Sequence, residues 1–183
     1  MKTAIADSLV LSLAATTKGF GFVLFESALA PFDWGVKEVR GAMKNRRILR
    51  FVEGMIDRYA PLVLVLEDWS DDAWKKSARI EALYVSLMEL ARKKCVQLVR
   101  VTKRSVKRCF AHVTPTNKYE IALAIAKAIP AFSYQVPPVR KIWMSEDLRQ
   151  SLYDAAALGL AFFATAHGTV SAQQRKQPIL TWD

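Results

Sequence analysis

The sequence predicts an α/β protein, a mixed five-stranded sheet covered on both faces by helices. Three features carry that expectation. Three short strand-like runs with tight turns open the chain, the middle alternates helix, strand, helix, strand, and the remainder is helical. Strands joined by tight turns form an antiparallel meander, whereas strands separated by helices add in parallel, so the two parts together give a mixed sheet. A length of 183 residues suits one domain with a sizeable core. Residues 1–170 are assigned to that domain and 171–183, with the QQRKQ stretch, to a loose basic tail.

The run Leu9 to Ala14 has strand character, TTKG supplies a turn, and Gly21 to Glu26 resumes as a strand. Gly19 and Gly21 permit close approach of another element. FDWGVKEVRG alternates apolar and polar positions and reads as a third strand. From Asn45 to Tyr59 the period lengthens, with Ile48, Leu49, Val52, Met55 and Ile56 on one helical face. After Pro61, LVLVLE is a nearly continuous apolar run that suits a buried parallel strand. Trp74 to Lys94 is a helix with Ile80, Leu83, Leu87 and Leu90 on its apolar side, and CVQLVRV follows as a strand. TKRSVKRCF, NKYEIALAIAKAI and SEDLRQSLYDAAALGLAFFATA read as helices, and PAFSYQVPPVR as a turn-rich, extended connection.

The formal charge of +10 favours an anionic partner, nucleic acid first and a membrane surface or ribosome next. Cys95 and Cys109 have no metal-ligand spacing, which argues against structural zinc and for a reduced, cytoplasmic protein. The first residues lack the pattern of a signal peptide, and the apolar GLAFFATAH is too short to span a bilayer, so no membrane is expected.

Carboxylates at the carboxyl end of a central strand can hold Mg²⁺ or Mn²⁺ through oxygen. LVLVLEDWSDD puts Glu67 at such an end, with Asp68 beside it and Asp71 and Asp72 following. Asp154 lies among Ala and Leu on a helix expected to be buried, where a charge needs a partner or water. Asp147, seven residues earlier, falls near the same helical face and reads either as an additional ligand or as part of an N-terminal cap led by Ser145.

These landmarks, in this order, resemble the ribonuclease H-like superfamily, and within it RuvC-type Holliday junction resolvases. VLSLAATTKGFGFVLFE looks like that family's first hairpin, LVLVLE like its central strand ending in glutamate, and YDAAALGLAF like its terminal catalytic helix. VKRCFAHVTPTNKYEI resembles a segment bearing two lysines near phosphates, here Lys107 and Lys118. The resemblance implies a ribonuclease H-like fold, a homodimer, Mg²⁺ or Mn²⁺, and branched or double-stranded DNA as substrate. It implies Glu67 and Asp154 as metal ligands, with Lys118 and Lys107 supporting catalysis. It also exposes a departure: two acids of that family's four are replaced, by Ala14 and Ser151. Asp68, Asp147 or Glu146 are candidates to compensate.

VTKRSVKRC concentrates positive charge; in a helix Lys103 and Lys107 share one face and Arg104 and Arg108 another, a strip suited to phosphates. Lys18 joins this nucleic-acid-binding set, and Arg46 and Arg47 form a second patch. Trp69, next to the candidate ligands, could stack on a base. His112 is a phosphate candidate and His167 a local helix cap. Two main functions follow: a metal-dependent, structure-selective DNA endonuclease, inactivated at Ala14 or rebuilt around other acids, and a non-catalytic nucleic-acid-binding protein on the same scaffold. A module that binds an acidic protein is the third reading, and RNA is retained as an alternative to DNA.

Overall fold

The computed structural model describes residues 9–70, 76–114 and 116–174. Strands β1 (Val10–Ala15), β2 (Gly19–Ser27) and β3 (Ala30–Glu38) form the antiparallel meander, followed by helix α1 (Lys44–Tyr59), strand β4 (Val63–Asp68), helix α2 (Ala78–Lys93) and strand β5 (Gln97–Thr102). Helices α3 (Lys103–Cys109), α4 (Lys118–Ala128) and α5 (Gln150–Gln174) complete the chain, with a 3-10 segment at Pro130–Gln135. The sheet order is β3-β2-β1-β4-β5. β1 pairs antiparallel with β2 and parallel with β4, and β4 pairs parallel with β5. This is the expected mixed five-stranded sheet flanked by helices, a ribonuclease H-like α/β arrangement.

Strand periodicity divides the core in two. Leu11, Leu13, Leu64 and Leu66 point to one face and pack with Ile48 and Val52 of α1 and Leu83 and Leu87 of α2. Val10, Ala14, Val63 and Val65 point to the other, under Ile121 and Ile125 of α4 and Leu152, Ala155 and Ala156 of α5. The apolar spacing of α1 and α2 is therefore what buries them. Ala60 ends α1 in the left-handed region at φ 45°, its N–H donating to the Ile56 carbonyl at 2.9 Å. Ser77 caps α2 by accepting from the N–H of Ile80.

Helix α5 lies unusually close on the sheet. A Cβ at Gly21 would fall 2.2 Å from the Ser151 carbonyl group, so only glycine lets the helix backbone settle onto β2 there. The Ser12 hydroxyl donates to the Ala155 carbonyl and ties β1 to the same helix. Tyr153, fully buried, donates its hydroxyl to the Phe132 carbonyl at 2.6 Å and fixes the 3-10 segment against α5.

Several elements differ from the sequence reading. Helix α5 starts at Gln150, not at Ser145, because residues 145–149 form a turn in which Asp147 accepts the Arg149 N–H at 2.9 Å. Ser145 is not a cap; its hydroxyl accepts from Lys18 Nζ at 2.8 Å. PAFSYQ coils into the 3-10 segment instead of extending. Cys95 does not open β5; it is exposed at φ 56° in the turn after α2, and both cysteines are free thiols. His167 does not end a helix, since α5 continues to Gln174. Asp71, Asp72 and Trp74 lie outside the described residues. Among the described residues, no helix is long and apolar enough to cross a membrane.

Gly21→Ala will force α5 off β2. Overpacking of this kind costs about 1–3 kcal/mol, and a backbone neighbour that cannot rotate away puts this case at the upper end. Urea denaturation should show a lower midpoint with an unchanged slope.

Candidate functional site

The parallel strands β1 and β4 end side by side. Ser12 pairs with Val65, and two residues further along the same face come Ala14 and Glu67. In an open α/β sheet the crevice beyond the carboxyl ends of the strands is where ligands bind. Here that crevice is a cleft of about 590 Å³, floored by Ala14 and Glu67 and walled by α3, the start of α4, α5 and the turn before α5.

The cleft brings together most of the residues singled out in the sequence. Glu67, Asp154, Lys107, Lys118, Lys103, Lys18 and Asp147 all line it. Lys103 and Lys107 do share a face of α3, the one that borders the cleft; all of Lys103, Arg104, Lys107 and Arg108 are exposed, and the two arginines do not line the cleft. Thr102 sets that orientation by capping α3, accepting from the N–H of Ser105 at 3.1 Å. Asn117 caps α4 in the same way through Glu120 N–H, which makes Lys118 the first residue of the helix.

Each central carboxylate is held by lysine. Glu67, with only 17% of its side chain exposed, accepts from Lys76 at 2.9 Å and lies 3.8 Å from Lys103. Lys118 bridges Glu146 at 2.6 Å and Asp154 at 2.9 Å. An ammonium at the positive end of α4 is disfavoured by the helix dipole, so Lys118 depends on these two acids. Burial works against its charge, but the Asp154 carboxylate and the Glu146 hydrogen bond outweigh it and hold its pKa above the ordinary lysine value. Burial pushes the Asp154 carboxyl up, and the charge and hydrogen bonds of Lys118, with the Gln150 amide 3.0 Å away, only partly offset it. Lys76 is the member that sequence reading missed. In sequence it lies between the Asp-rich stretch and α2, and only the fold reveals that it reaches Glu67.

Asp147 lines the cleft from the turn before α5, and the remaining candidates fall elsewhere. Asp68 alternates to the opposite face from Glu67, where it accepts from the N–H of Ser70 at 3.1 Å and lies 3.9 Å from Arg100. Asp147 is not on α5 and is engaged by the Arg149 guanidinium at 2.8 Å, whose hydrogen bond holds its pKa below the usual carboxylate range. Ser151 is fully buried where α5 meets β2, and its hydroxyl donates to the Leu148 carbonyl at 2.6 Å, so it does not face the cleft. The α5 positions that do are Asp154, Ala157 and Leu158. Trp69 is partly buried, its ring edge-on to Tyr84 with centroids 4.2 Å apart, and it packs with the α1–α2 side of the core instead of presenting a stacking face in the cleft. Arg46 and Arg47 are exposed on the first turn of α1, in the helical layer across the sheet from α3. His112 is exposed beside Phe110.

Among the described residues the donor set does not fit a divalent metal centre. Hard cations need several oxygens converging at short distance. Ala14 offers a methyl group beside Glu67, and Ala157 another beyond Asp154. The two remaining carboxylates are each neutralised by ammonium groups. Among the described residues no group of three or more His, Cys, Asp or Glu side chains could hold a metal ion.

No protein-family model matches this sequence. No curated protein sequence matches it either. Solved structures do. The structure of Thermus thermophilus RuvC in complex with a Holliday junction substrate is similar at TM-score 0.62 and 15% identity, over 88% of this chain and 97% of that one. A second Thermus thermophilus RuvC structure gives TM-score 0.60 and 18% identity over the same shares, 88% and 97%. At such identities the likeness shows the shared ribonuclease H-like fold.

Lys118→Met should leave Asp154 largely buried without its cation. Breaking a buried pair costs about 3–5 kcal/mol; water reaches this one, so about 1–2 kcal/mol is expected. The pH dependence follows from the raised folded pKa of Asp154. A carboxyl that binds its proton more tightly when folded makes stability fall as pH rises from the ordinary aspartate value through the folded one. Removing Lys118 extends that falling window upward. Urea titrations between about pH 4 and 8 should show a steeper decline in the variant, abolished when Asp154→Asn is added.

Proposed function

We propose that this chain is a nucleic-acid-binding protein on a ribonuclease H-like scaffold, one that engages branched or double-stranded DNA through its cleft without cutting it. The observation that carries this reading is the lysine-filled cleft. Lys18, Lys76, Lys103, Lys107 and Lys118 line it against four carboxylates, and Ala14 stands at the strand end beside Glu67. Such a cleft retains attraction for phosphate, and its described carboxylates do not converge into a cluster that would gather metal ions. Arg104 and Arg108 extend the positive surface outward from α3. Contacts of this kind follow the phosphate backbone and carry no base information, which suits recognition of DNA shape. Branched DNA is favoured as the ligand because the structurally similar Thermus thermophilus RuvC is described in complex with a Holliday junction substrate. A homodimer belongs to the same proposal, since a four-way junction offers symmetry-related strands.

The second reading is a Mg²⁺- or Mn²⁺-dependent junction endonuclease. It is favoured by one observation, that Glu67 and Asp154 face the same cleft together with Lys107 and Lys118. If the chain does cut, water is the nucleophile and no covalent protein intermediate is needed.

Labelled four-way junction DNA tests both readings. The unaltered chain is expected to bind it with an affinity that falls steeply with salt, and to leave it intact in Mg²⁺ or Mn²⁺. Each lysine that contacts a phosphate contributes about one to the slope of log affinity against log salt, so Lys103→Ala with Lys107→Ala should flatten it by about two. Metal-dependent cleavage by the unaltered chain, lost in Glu67→Gln, would overturn the non-catalytic reading. Cleavage that appears only in Ala14→Asp identifies position 14 as the place where activity was lost.

A further inference from the structure

The connection between the 3-10 segment and α5 has a fastened base and an unprotected apolar tip. At the base, Glu146 is bound through its carboxylate to Lys118 at 2.6 Å and through its carbonyl to Lys18 at 3.2 Å. Lys18 also holds Ser145. The tip is closed by a turn in which Met144 N–H donates to the Lys141 carbonyl at 3.0 Å and Arg140 Nε donates to the Met144 carbonyl at 2.9 Å. On that turn Ile142 is 97% exposed and Trp143 79% exposed, with Val139 and Met144 exposed beside them. Lys141 Nζ lies 5.5 Å from the centre of the Trp143 ring.

Large apolar side chains clustered in water mark a contact surface. The chemistry around them selects the partner. Arg140 and Lys141 flank the tip, and its base forms part of the wall of the cationic cleft, so the neighbourhood favours a polyanion. An exposed indole with cations beside it is the composition of a stacking platform for nucleobases. An aliphatic side chain next to it is suited to wedge into a gap between base pairs. We propose that Ile142 and Trp143 form a base-contacting wedge, which engages unpaired or unstacked nucleobases while the cleft holds the adjacent backbone. This rests on the nucleic-acid-binding reading and adds to it the part of the ligand that the cleft does not touch.

The test compares binding of the unaltered chain, Trp143→Ala, Trp143→Phe and Ile142→Ala to three DNAs: a plain duplex, a four-way junction, and a duplex with an internal unpaired loop carrying a fluorescent adenine analogue. Stacking on one base is worth about 1–3 kcal/mol. Trp143→Ala is therefore expected to weaken binding to the looped DNA about 10-fold, to leave plain-duplex binding nearly unchanged, and to abolish quenching of the analogue. Trp143→Phe should keep most of the affinity. The side chain is exposed, so the fold should be unaffected and the melting temperature unchanged. Equal losses on all three DNAs, or no loss on the looped one, would overturn the wedge while leaving the cleft reading intact. A lower sedimentation mass for Trp143→Ala without any change in DNA preference would show an interface between copies instead. An unaltered chain that binds none of the three DNAs removes the functional reading and the wedge together.

Discussion

Helix α5 rests on β2 almost backbone to backbone, and the cleft depends on that contact. Gly21 admits the Ser151–Leu152 peptide into space a side chain would fill, and Ser12 bonds to the carbonyl of Ala155 one turn further on. Alanines at 155 and 156 keep the approach close along the following turn. With the helix seated there, Asp154 stands over the carboxyl ends of β1 and β4, near enough for Lys118 of α4 to reach it. Moving α5 outward by the width of one methyl group would loosen the wall that carries Asp154 and the turn that carries Glu146.

The charges in the cleft are arranged so that each buried acid has a cation. Glu67 has Lys76 and Lys103, and Asp154 shares Lys118 with Glu146. Among the described residues the charge of these carboxylates is met by ammonium groups of the same chain. Lysine is a strongly hydrated point charge on a flexible stem, so these pairs order the cleft without a rigid, bidentate geometry. The same fold can thus carry a cleft whose described carboxylates are ordered by lysine, an instance of fold and chemistry being separable.

Much of this was readable residue by residue. The apolar spacing of α1 and the continuous run of β4 follow from burial, because one buried face imposes one repeat, and the shared face of Lys103 and Lys107 follows from helical period, although which way that face turns does not. Glu67 and Asp154 could be paired in advance only through the resemblance, and Gly21 could be marked as a close-approach point without knowing what approached. Other assignments failed for local reasons. The SED sequence looks like a helix start, yet Arg149 captures Asp147 and the helix waits until Gln150. Ser151 sits one helical turn from Asp154, yet it points into the contact with β2, because the small-residue face of α5 wraps around the helix instead of ending at the cleft. Trp69 follows Glu67 closely in sequence, but its ring is drawn to the Tyr84 side of the sheet.

By itself the sequence determined the element order, the five strands, the two-sided covering and the excess of positive charge, since these depend on local repeat and composition. Only the tertiary structure decided which ions meet. Lys76 on Glu67, Lys118 between Glu146 and Asp154, Asp68 turned away, and an indole left standing in water at the rim all depend on how distant segments pack, and no local pattern records that.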